Sequence, residues 1–227
     1  MASASRLVSL ALCLCLGAAL HAAPRGAHAA RAFFVFGDSL VDNGNNNYLL
    51  SEYAQVLARL HDLGARRVLV QGVGPIGCVP AELALHSADG ACDPELQRAA
   101  EMYNPRLMAL LADLNARLGA GGDPVFVGVN THRIHNDFID DPRAYGFQTA
   151  TEACCGQGRF NGLGLCTVMS SLCADRDAYV FWDNFHPTER ANRLIVQQFM
   201  YGTTDYIAPV NLSTVLAMDL RKQQLRT

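Results

Sequence analysis

An imidazole that can take a serine proton, and a carboxylate that holds the imidazole in the right tautomer, together make a serine an acyl-transfer nucleophile. The 227-residue sequence supplies the three groups far apart: Ser39 near the front, and Asp183 and His186 near the back. Asp183 and His186 stand three residues apart in Asp183-Asn184-Phe185-His186-Pro187, a spacing that suits a turn in which the acid folds back onto the ring. A competing reading makes Asp183 only the N-cap of a helix opening at Pro187, with His186 a surface residue. In the acyl-transfer reading Ser39 is the nucleophile, His186 the base and Asp183 the orienting acid.

Elements must bring these residues together. Ala32 to Phe36 is an uninterrupted apolar run that suits a strand buried on both faces, and Gly37-Asp38-Ser39 ends it. Ser39 is thereby assigned to the carboxyl end of a strand, where open α/β sheets bind ligands. Residues 51–63 have helical spacing with Gly64 at C′, and Arg67 to Gly72 reads as a second strand. Strand, helix and strand in that order imply a right-handed crossover and a parallel sheet. Asp93-Pro94-Glu95 opens a helix that runs to about Leu118 with a kink at Pro105, and Asp123 to Val129 is a third strand. A loop-rich region carrying four cysteines follows, then an extended Ala178 to Trp182, then a helix from Pro187 to about Met200.

Four stretches in this order carry a resemblance: Gly37-Asp38-Ser39-Leu40 followed by Asp42-Asn43-Gly44-Asn45-Asn46, Gly72-Val73-Gly74-Pro75-Ile76-Gly77-Cys78-Val79-Pro80, Cys154-Cys155-Gly156, and the Asp183 to Pro187 block. Together they resemble the plant GDSL esterase/lipase family within the SGNH hydrolases, over nearly the whole chain from Arg31 to about Leu220. The resemblance implies a three-layer α/β fold, a parallel sheet with helices on both faces, and a secreted enzyme that cleaves carboxylic esters without a cofactor. It also exposes a gap. In the family a long segment with two further strands, and with the glycine and asparagine that donate to the oxyanion, separates the Ser39 motif from the strand before Gly72. Here residues 40–66 hold room for one loop and one helix, so strands are missing and three remain, fewer than sheets usually have. A truncated or spliced family member with little activity is the alternative to an active esterase. Strand loss would also expose the apolar edges of Phe33 to Phe36 and Val68 to Val70. Asn136-Asp137 follows the third strand and does not inherit the missing asparagine's role.

Residues 1 to about 29 read as a signal peptide: Arg6, an uncharged run from Leu7 to Leu20, and Ala27-His28-Ala29 before the cut. That run is too short to span a bilayer, and no later transmembrane segment is expected. Residues 30–227 then form one domain. Losing Arg6 and Arg25 with no acid moves the formal net charge from −3 to −5, with no basic cluster to hold nucleic acid. Cys78, Cys92, Cys154, Cys155, Cys166 and Cys173 remain, an even count that reads as disulfides in an exported chain. Adjacent Cys154 and Cys155 bond outward, to Cys166 and Cys173 or to the Cys78/Cys92 pair. No C-x-x-C pair supports a metal site.

Gly72 to Gly77 also matches G-x-G-x-x-G after a strand, but Pro75 and Pro80 break the helix a dinucleotide needs, and a structural turn is the favoured reading. His61, His86, His132 and His135 have no companion motif and read as scaffold residues. The asparagines through Asn47 read as a polar loop. Asn211-Leu212-Ser213 is a glycosylation acceptor in an exported chain. The expected partner is a small acyl ester or lipid.

Overall fold

The computed structural model describes residues 34–36, 46–119 and 121–225, with side chains from residue 52 onward. Ser39, the expected signal peptide and the loop from Asp42 to Asn45 lie outside these residues.

Three parallel strands and one antiparallel strand form the main sheet: β1 (Phe34–Phe36), β2 (Val68–Gln71), β3 (Phe126–Val129) and β8 (Ile207–Ala208), in that spatial order. Val35 pairs with Leu69 and Leu69 with Val127, so the carboxyl ends of the first three strands lie at one end of the sheet. Short aliphatic runs such as Val68-Leu69-Val70 suit these positions because both sheet faces are covered.

Side chains alternate along each strand, and the alternation divides the core in two. Val68, Val70 and Phe126 meet Leu57 of α1 (Asn46–Asp62) and Leu107, Leu111 and Leu114 of α3 (Pro94–Leu118). Leu69, Val127, Val129 and Ile207 meet the opposite layer, formed by α4 (Thr131–Asp140), α5 (Glu189–Tyr201) and α6 (Leu212–Gln224). Ile134, Phe138, Ile195 and Val215 are its inward contacts. The three-layer α/β arrangement expected from the sequence is present.

Several local expectations are corrected. The sheet has a fourth strand, β8, which runs antiparallel on β3 with Ile207 opposite Val129. The helix α1 begins at Asn46, inside the asparagine run that reads as a loop. The region after β3 is not wholly irregular: Asn130 accepts from the Arg133 N–H and caps α4. The helix expected from Pro187 starts at Glu189, because the Thr188 hydroxyl accepts the Ala191 N–H at 3.2 Å and is the true cap. Val68 to Val70 are fully buried between two neighbouring strands, so they form no exposed edge.

Polar side chains fasten the layers. Asn115, near the end of α3, accepts the Val125 and Phe126 N–H groups at 2.8 Å and donates to the Phe126 carbonyl at 2.7 Å, so helix and strand are joined without a long loop. Arg67, at the entry to β2, bridges Asp123 at 2.9 Å and Asp219 of α6 at 2.8 Å, and Lys222 pairs with the same Asp123.

Beside the main sheet, β4 (Thr149–Ala153) runs parallel to β7 (Tyr179–Phe181), and β5 (Cys155–Gly156) pairs with β6 (Ser171–Leu172). The bridges are Cys78–Cys92, Cys154–Cys173 and Cys155–Cys166. Both vicinal cysteines therefore bond to the late pair.

Candidate active site

The Asp183/His186 turn grows directly from β7. The strand ends at Phe181, which bridges back to Pro187, and the Trp182 N–H donates to the His186 carbonyl at 2.7 Å. Thr188 then closes the return, its N–H on the Val180 carbonyl and its hydroxyl on the Tyr179 carbonyl at 2.8 Å. Four residues of turn are left between two fixed ends, and they contain both side chains.

Within the turn the acid faces the ring. His186 Nδ1 lies 2.9 Å from Asp183 Oδ1 and 3.0 Å from Oδ2. Asp183 Oδ1 also accepts the Phe185 N–H at 2.9 Å and the His186 N–H at 2.8 Å. Partial burial pushes the Asp183 carboxyl up, but these two amides and the imidazole outweigh it and hold the group below the usual carboxylate range. The Asp183 side chain is 20% exposed and that of His186 47%. An ionised acid on Nδ1 keeps the proton there and leaves Nε2 as the free base. The helix-cap reading of Asp183 is overturned, since Thr188 caps α5 and Asp183 bonds within its own turn.

A backbone link ties this turn to the main sheet. The Ala81 N–H, at the start of α2 (Pro80–His86), donates to the Asn184 carbonyl at 3.0 Å. The segment that reaches Ala81 is the glycine-rich run leaving the carboxyl end of β2. Its backbone is already committed: the Gly72 N–H donates to the Val129 carbonyl, the Val73 N–H to Asn104 Oδ1 at 2.8 Å, and the Ile76 and Cys78 N–H groups to Gly74 and Pro75. Those donors are not free to cradle a phosphate, so the dinucleotide reading is set aside. A Cβ at Gly72 would sit 2.6 Å from Asn104 Oδ1, and one at Gly77 would overlap the Asp93 carbonyl. Both glycines are there for close backbone approach, as the structural-turn reading expects.

Asn104 is a residue the sequence did not single out. Buried on α3 beside Pro105, it accepts from the Val73 N–H and donates back to the Val73 carbonyl at 2.8 Å. An asparagine before an intrahelical proline was its one visible signal. The histidines fall where a scaffold reading puts them: His135 is buried with Nδ1 on the Thr131 carbonyl at 2.9 Å, and burial pushes its pKa down. Asn136 bonds His132, while Asp137 receives the Tyr206 hydroxyl at 2.7 Å and pairs with Arg133. Among the described residues no group of His, Cys, Asp and Glu is gathered closely enough to hold a metal ion. Nor is any described helix long and apolar enough to cross a membrane.

Asn211 lies apart from the site as the N-cap of α6. Its Oδ1 accepts the Thr214 N–H at 3.1 Å and the Ser213 hydroxyl at 2.8 Å, and its Nδ2 donates to the Gly202 carbonyl at 3.2 Å.

A family model described as GDSL-like lipase/acylhydrolase matches residues 46–199. Among curated proteins, the chain is 54% identical over 174 residues to the Arabidopsis thaliana GDSL esterase/lipase At4g28780, covering 76% of this chain and 47% of that protein. It is 51% identical over 175 residues to the GDSL esterase/lipase LTL1 of the same plant, covering 77% and 47%. To GDSL esterase/lipase 7, again from Arabidopsis thaliana, it is 34% identical over 166 residues, covering 72% and 45%. The chain spans about half the length of the curated relatives it matches.

Proposed function

Since the chain belongs to the GDSL-like lipase/acylhydrolase family, we propose that it is a serine hydrolase that cleaves carboxylic esters of lipids or small acyl compounds through an acyl-enzyme on Ser39. The observation that carries this reading is the Asp183 carboxylate 2.9 Å from His186 Nδ1. His186 Nε2 takes the Ser39 proton as Oγ attacks the ester carbonyl, and the carbonyl electron pair moves to oxygen. The Ser39 N–H donates to that oxyanion. Collapse of the tetrahedral intermediate expels the alcohol, which receives the proton from His186. Water then attacks the acyl-serine with His186 again as base, releasing the acid and restoring the hydroxyl.

Topology supports the meeting of the two ends of the chain. Ser39 follows β1 by three residues in sequence, β1 pairs with β2, and the segment beyond β2 is bonded through Ala81 to the Asp183/His186 turn. Fluorophosphonate labelling and hydrolysis of p-nitrophenyl butyrate test the reading. Wild type is expected to do both and Ser39→Ala neither. Folded wild-type protein that does neither overturns it.

A second reading, weak turnover, is favoured by the short connection from β1 to β2, in which α1 is the one helix among the described residues. The family resemblance assigns two oxyanion donors to the segment that this connection lacks. Each such donor is worth about a hundred- to a thousandfold in turnover, so losing two costs about 5–8 kcal/mol. A kcat that far below a family member carrying the segment, with Ser39 still labelled, separates this reading from the first.

Export accompanies either reading, with residues 1–29 as the signal peptide, residues 30–227 as the hydrolase domain, and Asn211 carrying a glycan. Expression in a secreting host should release the chain into the medium, and endoglycosidase should lower its mass in wild type but not in Asn211→Gln. Retention in the cell, or an unchanged mass, rejects the corresponding step.

A further inference from the structure

The loop between the vicinal cysteines and their partners has a feature that hydrolysis does not require. From Phe160 to Ala174 it carries no charged residue, yet Leu163, Leu165, Val168, Met169 and Leu172 are all exposed. Val168 is fully exposed and Met169 84% exposed. They occupy the centre of a turn closed by the Ser170 N–H on the Thr167 carbonyl at 3.0 Å. Three polar groups around them bond within the turn: the Thr167 N–H donates to Ser170 Oγ, the Met169 N–H to Thr167 Oγ1, and the Ser170 hydroxyl to the Leu165 carbonyl. The disulfides Cys155–Cys166 and Cys154–Cys173 pin the loop on both sides of the turn. Apolar side chains are therefore held in water by a braced turn whose Thr167, Met169 and Ser170 amides are bonded internally.

We infer that the Val168/Met169 tip is an anchor that inserts into the surface of an uncharged lipid assembly. Three observations select that occupant. With no charge across fifteen residues, the tip offers nothing to an anionic membrane, a nucleic acid or a charged protein face. Five aliphatic side chains at about 100 Å² each fall short of the roughly 800 Å² per partner that a stable second copy would bury. The loop's base is also continuous with the candidate site: the Cys154 N–H donates to the Phe181 carbonyl and the Cys155 N–H to Trp182, the residue before Asp183. An enzyme anchored here holds that turn close to esters that partition out of water. The choice of a lipid surface rests on the ester-hydrolase reading, while the binding does not depend on turnover.

Flotation of the full chain, disulfides formed, with vesicles of neutral phosphatidylcholine tests the inference. The Val168→Ser/Met169→Ser double variant changes only exposed side chains and is checked by its melting temperature. Wild type is expected to float with the vesicles, at low and high salt alike. The double variant should partition about tenfold more weakly or worse, and hydrolyse a soluble short-chain ester as wild type does. Ser39→Ala protein should float like wild type, so loss of activity and loss of docking are read separately. Equal flotation of wild type and double variant overturns the inference, as does absence of flotation. So does a concentration-dependent dimer in sedimentation that the double variant abolishes, since the tip would then serve a second copy.

Discussion

The Ala81 amide donates to the Asn184 carbonyl at 3.0 Å, and this bond couples the chain leaving β2 to the turn that carries Asp183 and His186. Asn184 sits between the acid and the base in sequence, so holding its carbonyl orients the plane of the turn from the side of the main sheet. The bridge from Phe181 to Pro187 holds it from the other. Backbone thus fixes both ends of the turn, while the Asp183 side chain has two duties: it bonds the turn's own amides and it sets the tautomer of the base.

Replacing that side chain separates the two duties. Asp183→Asn keeps the amide acceptor for the Phe185 and His186 N–H groups but removes the charge that holds the proton on Nδ1. The expected outcome is a kcat lower by on the order of a thousandfold or more, with KM and melting temperature little changed, measured on a soluble p-nitrophenyl ester. A variant with near wild-type kcat would remove Asp183 from the mechanism.

Acid should loosen the chain through its paired carboxylates. Lys222 and then Arg67 hold the Asp123 carboxyl below its usual range, so its folded pKa lies under the unfolded value of about 3.9. A depressed carboxylate contributes stability that is complete above the unfolded pKa and is lost as pH falls through the folded one. Melting temperatures followed from about pH 6 to about pH 3 should decline, and the decline should be shallower in Asp123→Asn, which no longer titrates there. Identical slopes would contradict the assignment.

Asn104→Leu tests the clamp on the glycine-rich segment. Leucine fills similar volume but leaves the half-buried Val73 N–H and carbonyl without partners, at about 1 kcal/mol for each group, the lower end of the cost of an unmet buried polar group. For a chain of this size that corresponds to a melting temperature lower by about 2–4 °C per kcal/mol. A melt within a degree of wild type would mean that water satisfies Val73 once the amide is gone.

Removing the inner bridge should free the loop it closes. The Cys155→Ser/Cys166→Ser variant loses a short closed loop worth about 2–3 kcal/mol. Arg159 is the basic residue within that loop, so trypsin should cut after it faster in the variant, as seen by mass spectrometry of timed digests. Unchanged cleavage would show that β5 and β6 hold the loop without the sulfurs.

Much of the scaffold was readable because its signals are local. Contiguous Val68 to Val70 and Val125 to Val129 announce buried strands, and Asp93-Pro94 announces the start of α3. The Asp183/His186 spacing points to a folded-back turn, which is the geometry found. The helix α4 was hidden because histidines, arginine, asparagine and aspartate surround its two apolar anchors, Ile134 and Phe138. The strand β8 is two residues long and exists only through pairing with β3, which no local pattern encodes. The Arg67 cluster joins residues 56 and 152 positions away, and the choice of partners for Cys154 and Cys155 depends on the register of a hairpin between them.

The nested order of those two bridges has a topological consequence. Cys155–Cys166 closes a ring inside the ring closed by Cys154–Cys173, and the Cys173 N–H bonds the Cys154 carbonyl at 2.7 Å across the mouth of both. Exchanging partners between the neighbouring cysteines would make the covalent rings interlace instead of lying one within the other. It would also pull Leu172 and Ser171 out of step with Cys155 and Gly156. Two adjacent sulfurs that chemistry alone treats as equivalents are told apart by which of them the hairpin turns toward its mouth, so correct oxidation here is a readout of strand alignment.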